Sequence, residues 1–126
     1  MKIEHVGLWV GNLETMRDFY VTNFKATFGA RYDNVTKGFS SYFLSFPDGQ
    51  TRLEIMTRTD ITDCYPDGFG YAHLAFSVEN HATVDQMVID FKKSGIEVVS
   101  GPRTTGDGYY EAVILDPEGN QIELVG

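Results

Sequence analysis

Polar and apolar residues alternate at the start of each half of this chain, and each alternation then gives way to a helical period. In residues 3–10, Val6, Leu8 and Val10 share one side of an extended run while His5, Gly7 and Trp9 share the other. In residues 71–78, Leu74, Phe76 and Val78 face one way and His73, Ala75 and Ser77 the other. Each strand thus has an apolar side suited to lie beneath a helix, with its histidine on the opposite side. Asn12 is a good helix cap, with Glu14 in the opening turn, and Leu13, Met16, Tyr20 and Phe24 recur at helical spacing behind it. Val84, Met87, Val88 and Phe91 form a second stripe, which predicts a helix over about 83–93 that stops at Gly95.

Three strand-like runs follow each helix: 27–32, 41–46 and 52–57 in the first half, then 97–100, 109–115 and 121–125 in the second. Asp48-Gly49 and Glu118-Gly119 mark the tight turns before the last strand of each half. The unit is βαβββ, used twice. An offset of 68 carries His5 onto His73, Asn12 onto Asn80 and Met16 onto Val84, and 46–49 resembles 116–119. Four landmarks in one order point to duplication. The expectation is an α+β fold in a single cooperative domain, 1–126, with module one at about 1–58, a connector at about 59–70 and module two at about 71–126.

Composition narrows the partners. At 126 residues, 42% hydrophobic and 22% charged, the chain can bury a core without staples. A net charge of −8 repels phosphate backbones and anionic lipids, so neither nucleic acid nor a membrane is an expected partner. The single cysteine, Cys64, allows no intrachain disulfide and reads as an ordinary thiol in a reducing compartment. No apolar run approaches the ~20 residues that span a bilayer, and no basic-then-apolar leader opens the chain, so a cytoplasmic location is expected.

The candidate chemistry lies on the polar sides of the strands. Glu54 follows His5 by 49 residues, and Glu123 follows His73 by 50. Leu53 and Ile55 flank Glu54, and Ile122 and Leu124 flank Glu123, so all four candidates occupy the less apolar face of a strand. Two converging carboxylates repel one another unless a cation lies between them. Two imidazoles and two carboxylates suit Zn, Ni, Co, Fe or Mn better than Ca or Mg. Such an ion is a Lewis acid toward a substrate with two adjacent oxygens. A lone strand histidine is usually structural and a lone strand glutamate usually solvated, but recurrence at matching places in a repeat weighs against both. His81, just after Asn80, is expected to be exposed. The segment 104–108 reads as a lid over a groove or, more simply, as a strand connector. Arg103 beside it can meet an anionic substrate tail or stay solvated.

Four runs carry a resemblance to a known family: His5-Val-Gly-Leu-Trp-Val, the Phe19-Tyr20 pair, Gly70-Tyr-Ala-His73-Leu-Ala-Phe-Ser-Val, and Leu115-Asp-Pro-Glu-Gly-Asn-Gln-Ile-Glu-Leu124. Over nearly its whole length the chain resembles the vicinal oxygen chelate superfamily. That group includes glyoxalase I, bleomycin-resistance proteins, extradiol dioxygenases, fosfomycin-resistance thiol transferases and methylmalonyl-CoA epimerases. The resemblance implies paired βαβββ modules curving into a U-shaped mixed sheet, helices on its outer face, around a metal or ligand.

The order His5, Glu54, His73, Glu123 resembles glyoxalase I and implies one divalent transition metal held by all four. Glu123 or Glu54 would then also be the catalytic base, acting on a thiol hemithioacetal of a 2-oxoaldehyde such as methylglyoxal to give a 2-hydroxyacyl thioester. Epimerases typically have glutamine where Glu54 stands. Fosfomycin enzymes and extradiol dioxygenases use two histidines and one carboxylate, and bleomycin-type binders generally lack such a metal set. Glyoxalase I carries an arginine four residues beyond its first metal histidine and an asparagine four beyond its first metal glutamate, both helping to hold glutathione. Here those places are Trp9 and Arg58, and residues 67–72 lack the arginine that some members place before the second histidine. These departures leave the identity of the low-molecular-weight thiol open, glutathione included, and make Trp9 and Arg58, with Arg103, the substrate-binding candidates. Trp9 alternatively fills the sheet interior. Relatives of this size often form homodimers, some building each metal site from two chains, and either arrangement fits the ligand pattern. Another metal-dependent enzyme of the same fold and a non-catalytic binder of small molecules are the competing readings.

Overall fold

Asn12 and Asn80 start the two helices, and the strands around them assemble separately in each half. The computed structural model describes residues 1–63 and 69–126, so Cys64 lies outside the described residues. The chain divides into two compact units, Met1–Cys64 and Tyr65–Gly126.

In the first unit β1 (His5–Trp9) leads into α1 (Leu13–Phe24). The Asn12 side chain accepts the Thr15 N–H at 3.0 Å, a cap that contributes about 1 kcal/mol. Lys25 closes the helix in the left-handed region, φ 55°. There follow β2 (Thr27–Phe28), β3 (Tyr32–Asn34), a single 3₁₀ turn (Val35–Lys37), β4 (Phe39–Ser45) and β5 (Arg52–Arg58). The sheet runs β1-β5-β4-β2, with β3 also on β4; β1 and β5 are parallel and the other pairs antiparallel.

The single strand expected over 27–32 is broken here. Phe28 faces Leu44 and Tyr32 faces Ser41, so three residues of the outer strand oppose two of β4. The extra residue makes a bulge. Arg31, within it, pairs with Glu14 of α1 at 2.8 Å and with Asp33 at 2.9 Å. The ion pair to Glu14, 17 residues away in sequence, leaves no trace in the hydrophobic period.

In the second unit the order is β6 (His73–Ser77), α2 (His81–Lys93), β7 (Val98–Thr104), β8 (Tyr110–Leu115) and β9 (Gln121–Val125). The sheet runs β6-β9-β8-β7, with β6 parallel to β9. Asn80 accepts the Thr83 N–H at 3.0 Å, so α2 begins at His81, two residues before the expected start. Gly95, at φ +78°, ends it as expected: the Ile96 N–H reaches the Phe91 carbonyl at 2.9 Å and the Gly95 N–H reaches that of Lys92 at 3.2 Å. β7 passes well beyond the expected 97–100, with two register shifts against β8. At the bend Gly101 has φ +82°, and a Cβ there would lie 2.5 Å from the Glu111 carbonyl oxygen, so only glycine fits.

Each sheet carries its helix on one face. Met16, Tyr20 and Phe24 of α1 are buried on the side of Leu44, Leu53 and Ile55. Val84, Val88 and Phe91 of α2 are buried on the side of Ile114, Ile122 and Leu124. Burying such a side chain fully contributes about 1.5–3 kcal/mol, which fixes the helix side of each sheet and leaves the other side for chemistry. The α+β expectation holds, with two helices and two mixed sheets among the described residues. None of the described helices is long and apolar enough to cross a membrane.

Candidate metal centre

Strand register decides where the candidate ligands point. In the first unit His5 stands opposite Arg52 and Gly7 opposite Glu54, which puts His5 and Glu54 one diagonal step apart on the face away from α1. Their Nε2 and Oε2 atoms are 3.7 Å apart. In the second unit His73 stands opposite Gln121 and Ala75 opposite Glu123, with the same parity, and the corresponding distance is 3.6 Å. The carboxylates are the shielded partners, 16% and 18% exposed, beside imidazoles at 40% and 42%.

These distances are too long for a hydrogen bond. Two donors that share an ion at about 2.0–2.1 Å each lie about 3.0–3.4 Å apart, so each pair needs to close by only a few tenths of an ångström. A carboxylate oxygen facing an imidazole nitrogen within a sheet face suits a borderline transition metal. Among the described residues no group of three or more His, Cys, Asp or Glu side chains is placed to hold an ion by itself. Each unit therefore brings one imidazole and one carboxylate together on the helix-free face of its sheet, a donor pair whose chemistry fits a transition metal.

The surroundings of the two histidines differ. Glu4 bonds His5 Nδ1 with one carboxylate oxygen and the Arg52 guanidinium with the other. The hydrogen bond to His5, and then that to Arg52, holds the Glu4 carboxyl below its usual range. The Phe43 ring meets His5 edge-on at 5.3 Å, and Arg52 lies over that ring at 4.2 Å.

Along the same face of the first unit, Trp9 stands opposite Met56, and Arg58 opposite Phe39. Trp9 is 40% exposed, so its ring is not enclosed in an interior. It meets Phe39 edge-on at 6.2 Å, and the Arg58 guanidinium lies over it at 5.0 Å. Asp60 pairs with Arg58, which raises the arginine and lowers the aspartate from their ordinary values.

Arg103 lies on β7 rather than in a loop, and it pairs at 3.1 Å with Glu111, opposite it on β8. Sequence reasoning missed Glu111. Its signal was parity: Glu111 shares a face with Val113, the residue opposite Glu123, and yet it is only 8% exposed. The segment 104–108 is a hydrogen-bonded turn, with Thr105 N–H to the Tyr109 carbonyl at 2.8 Å and Gly108 N–H to that of Thr105 at 3.0 Å, which supports the connector reading. His81 is exposed as expected and stacks on Tyr110 at 4.2 Å. The Tyr110 hydroxyl bonds Asp85 at 2.6 Å.

Tandem βαβββ units, each with a helix on one sheet face and a histidine–glutamate pair on the other, define the class as a duplicated α+β module. A family model of the Glyoxalase/Bleomycin resistance protein/Dioxygenase superfamily matches residues 2–124. The chain belongs to this superfamily. It is similar to a lactoylglutathione lyase of Neisseria meningitidis serogroup A, 32% identical over 129 residues that cover 99% of this chain and 90% of the relative. Among solved structures it resembles a glyoxalase family protein from Enterococcus faecalis, with TM-score 0.81 and 25% identity over 99% of this chain and 97% of that one. The trypanothione-dependent glyoxalase I of Leishmania major superposes with TM-score 0.80 at 23% identity, over 100% of this chain and 86% of that one.

Proposed function

We propose that this protein is a metal-dependent, glyoxalase I-like lyase that isomerises the hemithioacetal of a 2-oxoaldehyde, such as methylglyoxal, and a small thiol. The observation that carries this reading is the twin pair, His5–Glu54 at 3.7 Å and His73–Glu123 at 3.6 Å, on the helix-free faces of their sheets. In it, the ligands to a divalent ion are His5 and Glu54 of the first unit and His73 and Glu123 of the second, each pair offering one nitrogen and one oxygen, and the protein is a homodimer. When bound, the ion supplies Lewis acidity to the two adjacent substrate oxygens. Glu123 or Glu54 removes the proton from C1 and a carboxylate returns it at C2, so C1 becomes the thioester carbonyl and C2 the alcohol. The proton only changes carbon, and no external oxidant is needed.

Trp9 and Arg58 form a cation-over-ring unit on the same face as His5 and Glu54, suited to an anionic thiol. Arg103 serves the substrate tail. Glutathione and trypanothione, which the relatives' names point to, are the first thiols to compare. On this reading the protein is a cytoplasmic detoxifier of 2-oxoaldehydes. The test is consumption of methylglyoxal with a panel of thiols and of Zn, Ni, Co, Fe and Mn ions, following the 2-hydroxyacyl thioester directly. Thioester formation that stops on chelation and returns with added ion is expected. No thioester with any combination overturns the reading.

A further inference from the structure

We propose that Glu4, tied down by Arg52, is a positioning residue that presets His5 as a metal ligand, so that the first half-site is organised before the ion arrives and the second is not. This rests on the metal-dependent reading above. A carboxylate only accepts, so in the neutral imidazole the hydrogen sits on Nδ1, against Glu4. Nε2 then keeps its lone pair, aimed toward Glu54 across 3.7 Å. Two acceptors facing one another in this way leave a gap that only a proton or a cation fills.

The ring plane is fixed as well. Phe43 meets His5 edge-on at 5.3 Å, Arg52 covers Phe43 at 4.2 Å, and Arg52 returns to Glu4, closing a ring of four side chains. The backbone joins in, since the Arg52 N–H reaches the Glu4 carbonyl at 3.0 Å. Glu4 can do this because it precedes β1, so its side chain is free of the strand alternation that would send it to the face opposite His5.

The second unit lacks all three supports. Ala72 precedes His73, Gln121 stands opposite it, and Val113 stands opposite Glu123 where Phe43 stands opposite Glu54. Among the described residues no side chain bonds His73 Nδ1. Partners that orient a ligating histidine are typically worth 10–100-fold in metal affinity, because the tautomer and ring angle need not be selected during binding.

The experiment uses the full chain, freed of metal and titrated with Co²⁺ and Zn²⁺. Glu4→Ala is expected to weaken binding about 10–100-fold with the metal-free melting temperature unchanged. Glu4→Gln, which keeps an oxygen to accept the Nδ1 hydrogen, is expected to lose less. Arg52→Ala is expected to fall between wild type and Glu4→Ala, and Glu97→Ala, at an exposed glutamate remote in sequence, to match wild type. Imidazole ¹⁵N shifts of the metal-free wild type should give the Nδ1–H tautomer for His5, and mixed tautomers for His5 in Glu4→Ala. That measurement on wild type decides the matter even if a variant folds poorly. Wild type that binds Co²⁺ no tighter than Glu4→Ala, or a His5 ring found as Nε2–H, overturns this proposal alone. Wild type that takes up no metal overturns the metal reading and this proposal together.

Discussion

Glu54 and Glu123 occupy equivalent points of their strands, yet the turns that deliver them are secured by opposite chemistry. Before β9, Asp116 is 5% exposed, and its carboxylate accepts the Glu118 and Asn120 N–H groups at 2.9 Å each and the Asn120 side-chain amide at 2.8 Å. Before β5, Phe46 holds that place, and its ring meets Tyr20 of α1 edge-on at 6.2 Å. Asp48 there takes φ 61°, and the turn closes through a longer bond, Gly49 N–H to the Phe46 carbonyl at 3.4 Å. One turn is locked by a polar hub and the other by an aromatic wedge. The donor positions survive this divergence because parallel pairing of β1 with β5, and of β6 with β9, sets the direction of each glutamate regardless of how the turn is held.

The sharpest way to break the equivalence is catalytic. Glu54→Gln and Glu123→Gln should both lower kcat, and the substitution that removes the base by about 10²–10⁴-fold. Turnover measured at saturating metal separates loss of the base from loss of a ligand. Unchanged turnover in both variants, with metal still bound, would remove the carboxylates from the chemistry.

Next come the turns. Asp116→Ala strands two backbone N–H groups and should cost about 2–3 kcal/mol in urea unfolding, since each unsatisfied group costs about 1–3 kcal/mol. Phe46→Ala removes a half-buried ring and should cost about 1–2 kcal/mol, less than a fully buried phenylalanine. A reversed order would mean that the aromatic wedge, not the polar hub, is the stronger lock. Smaller again is the effect at the far end of the first unit's open face. Trp9→Ala and Arg58→Ala should raise KM for an anionic thiol about tenfold with little change in kcat, the pattern of binding energy shared by ground and transition states. A Ser77→Ala change, at the position of Trp9 in the second unit, should leave KM alone.

Much of this was legible in the sequence. Both helix caps, the strand parity of the four candidate ligands and the Gly95 stop follow from local rules, because they depend on neighbours within four residues. What was hidden depends on residues farther off. The bulge after Phe28 answers to Arg31 reaching Glu14, and β7 continues through Gly101 and Pro102, which read locally as a strand's end. The start of α2 was read late because His81 and Ala82 carry no part of the apolar stripe, though the Asn80 cap already marked it. At the site, period two announced the histidines and glutamates, whereas Glu4 fell within the expected run on the side opposite His5, and only the later start of β1 at His5 frees it to reach that imidazole. Glu111 stood in the pattern but had no repeat partner to draw attention to it, since Ser41 occupies the matching place on β4.

The smallest expected effect separates the two turns by their response to pH. Burial pushes the Asp116 carboxyl above its ordinary value of 3.8, and its bonds to Asn120 and Glu118 only partly oppose that. The folded state therefore keeps the proton to higher pH than the unfolded state does. Stability from this group is fully present below the ordinary value and is lost as pH rises through the raised one. Asp116→Asn removes the titration while keeping an oxygen for the two backbone N–H groups. The unfolding free energy of wild type minus that of Asp116→Asn, from urea melts, should accordingly fall as pH climbs from about 4. Phe46→Leu, at the apolar turn, should give a difference from wild type that is flat over the same interval. A wild-type advantage over Asp116→Asn that grows with pH would mean that the three hydrogen bonds outweigh burial, and that the polar hub is strongest when ionised.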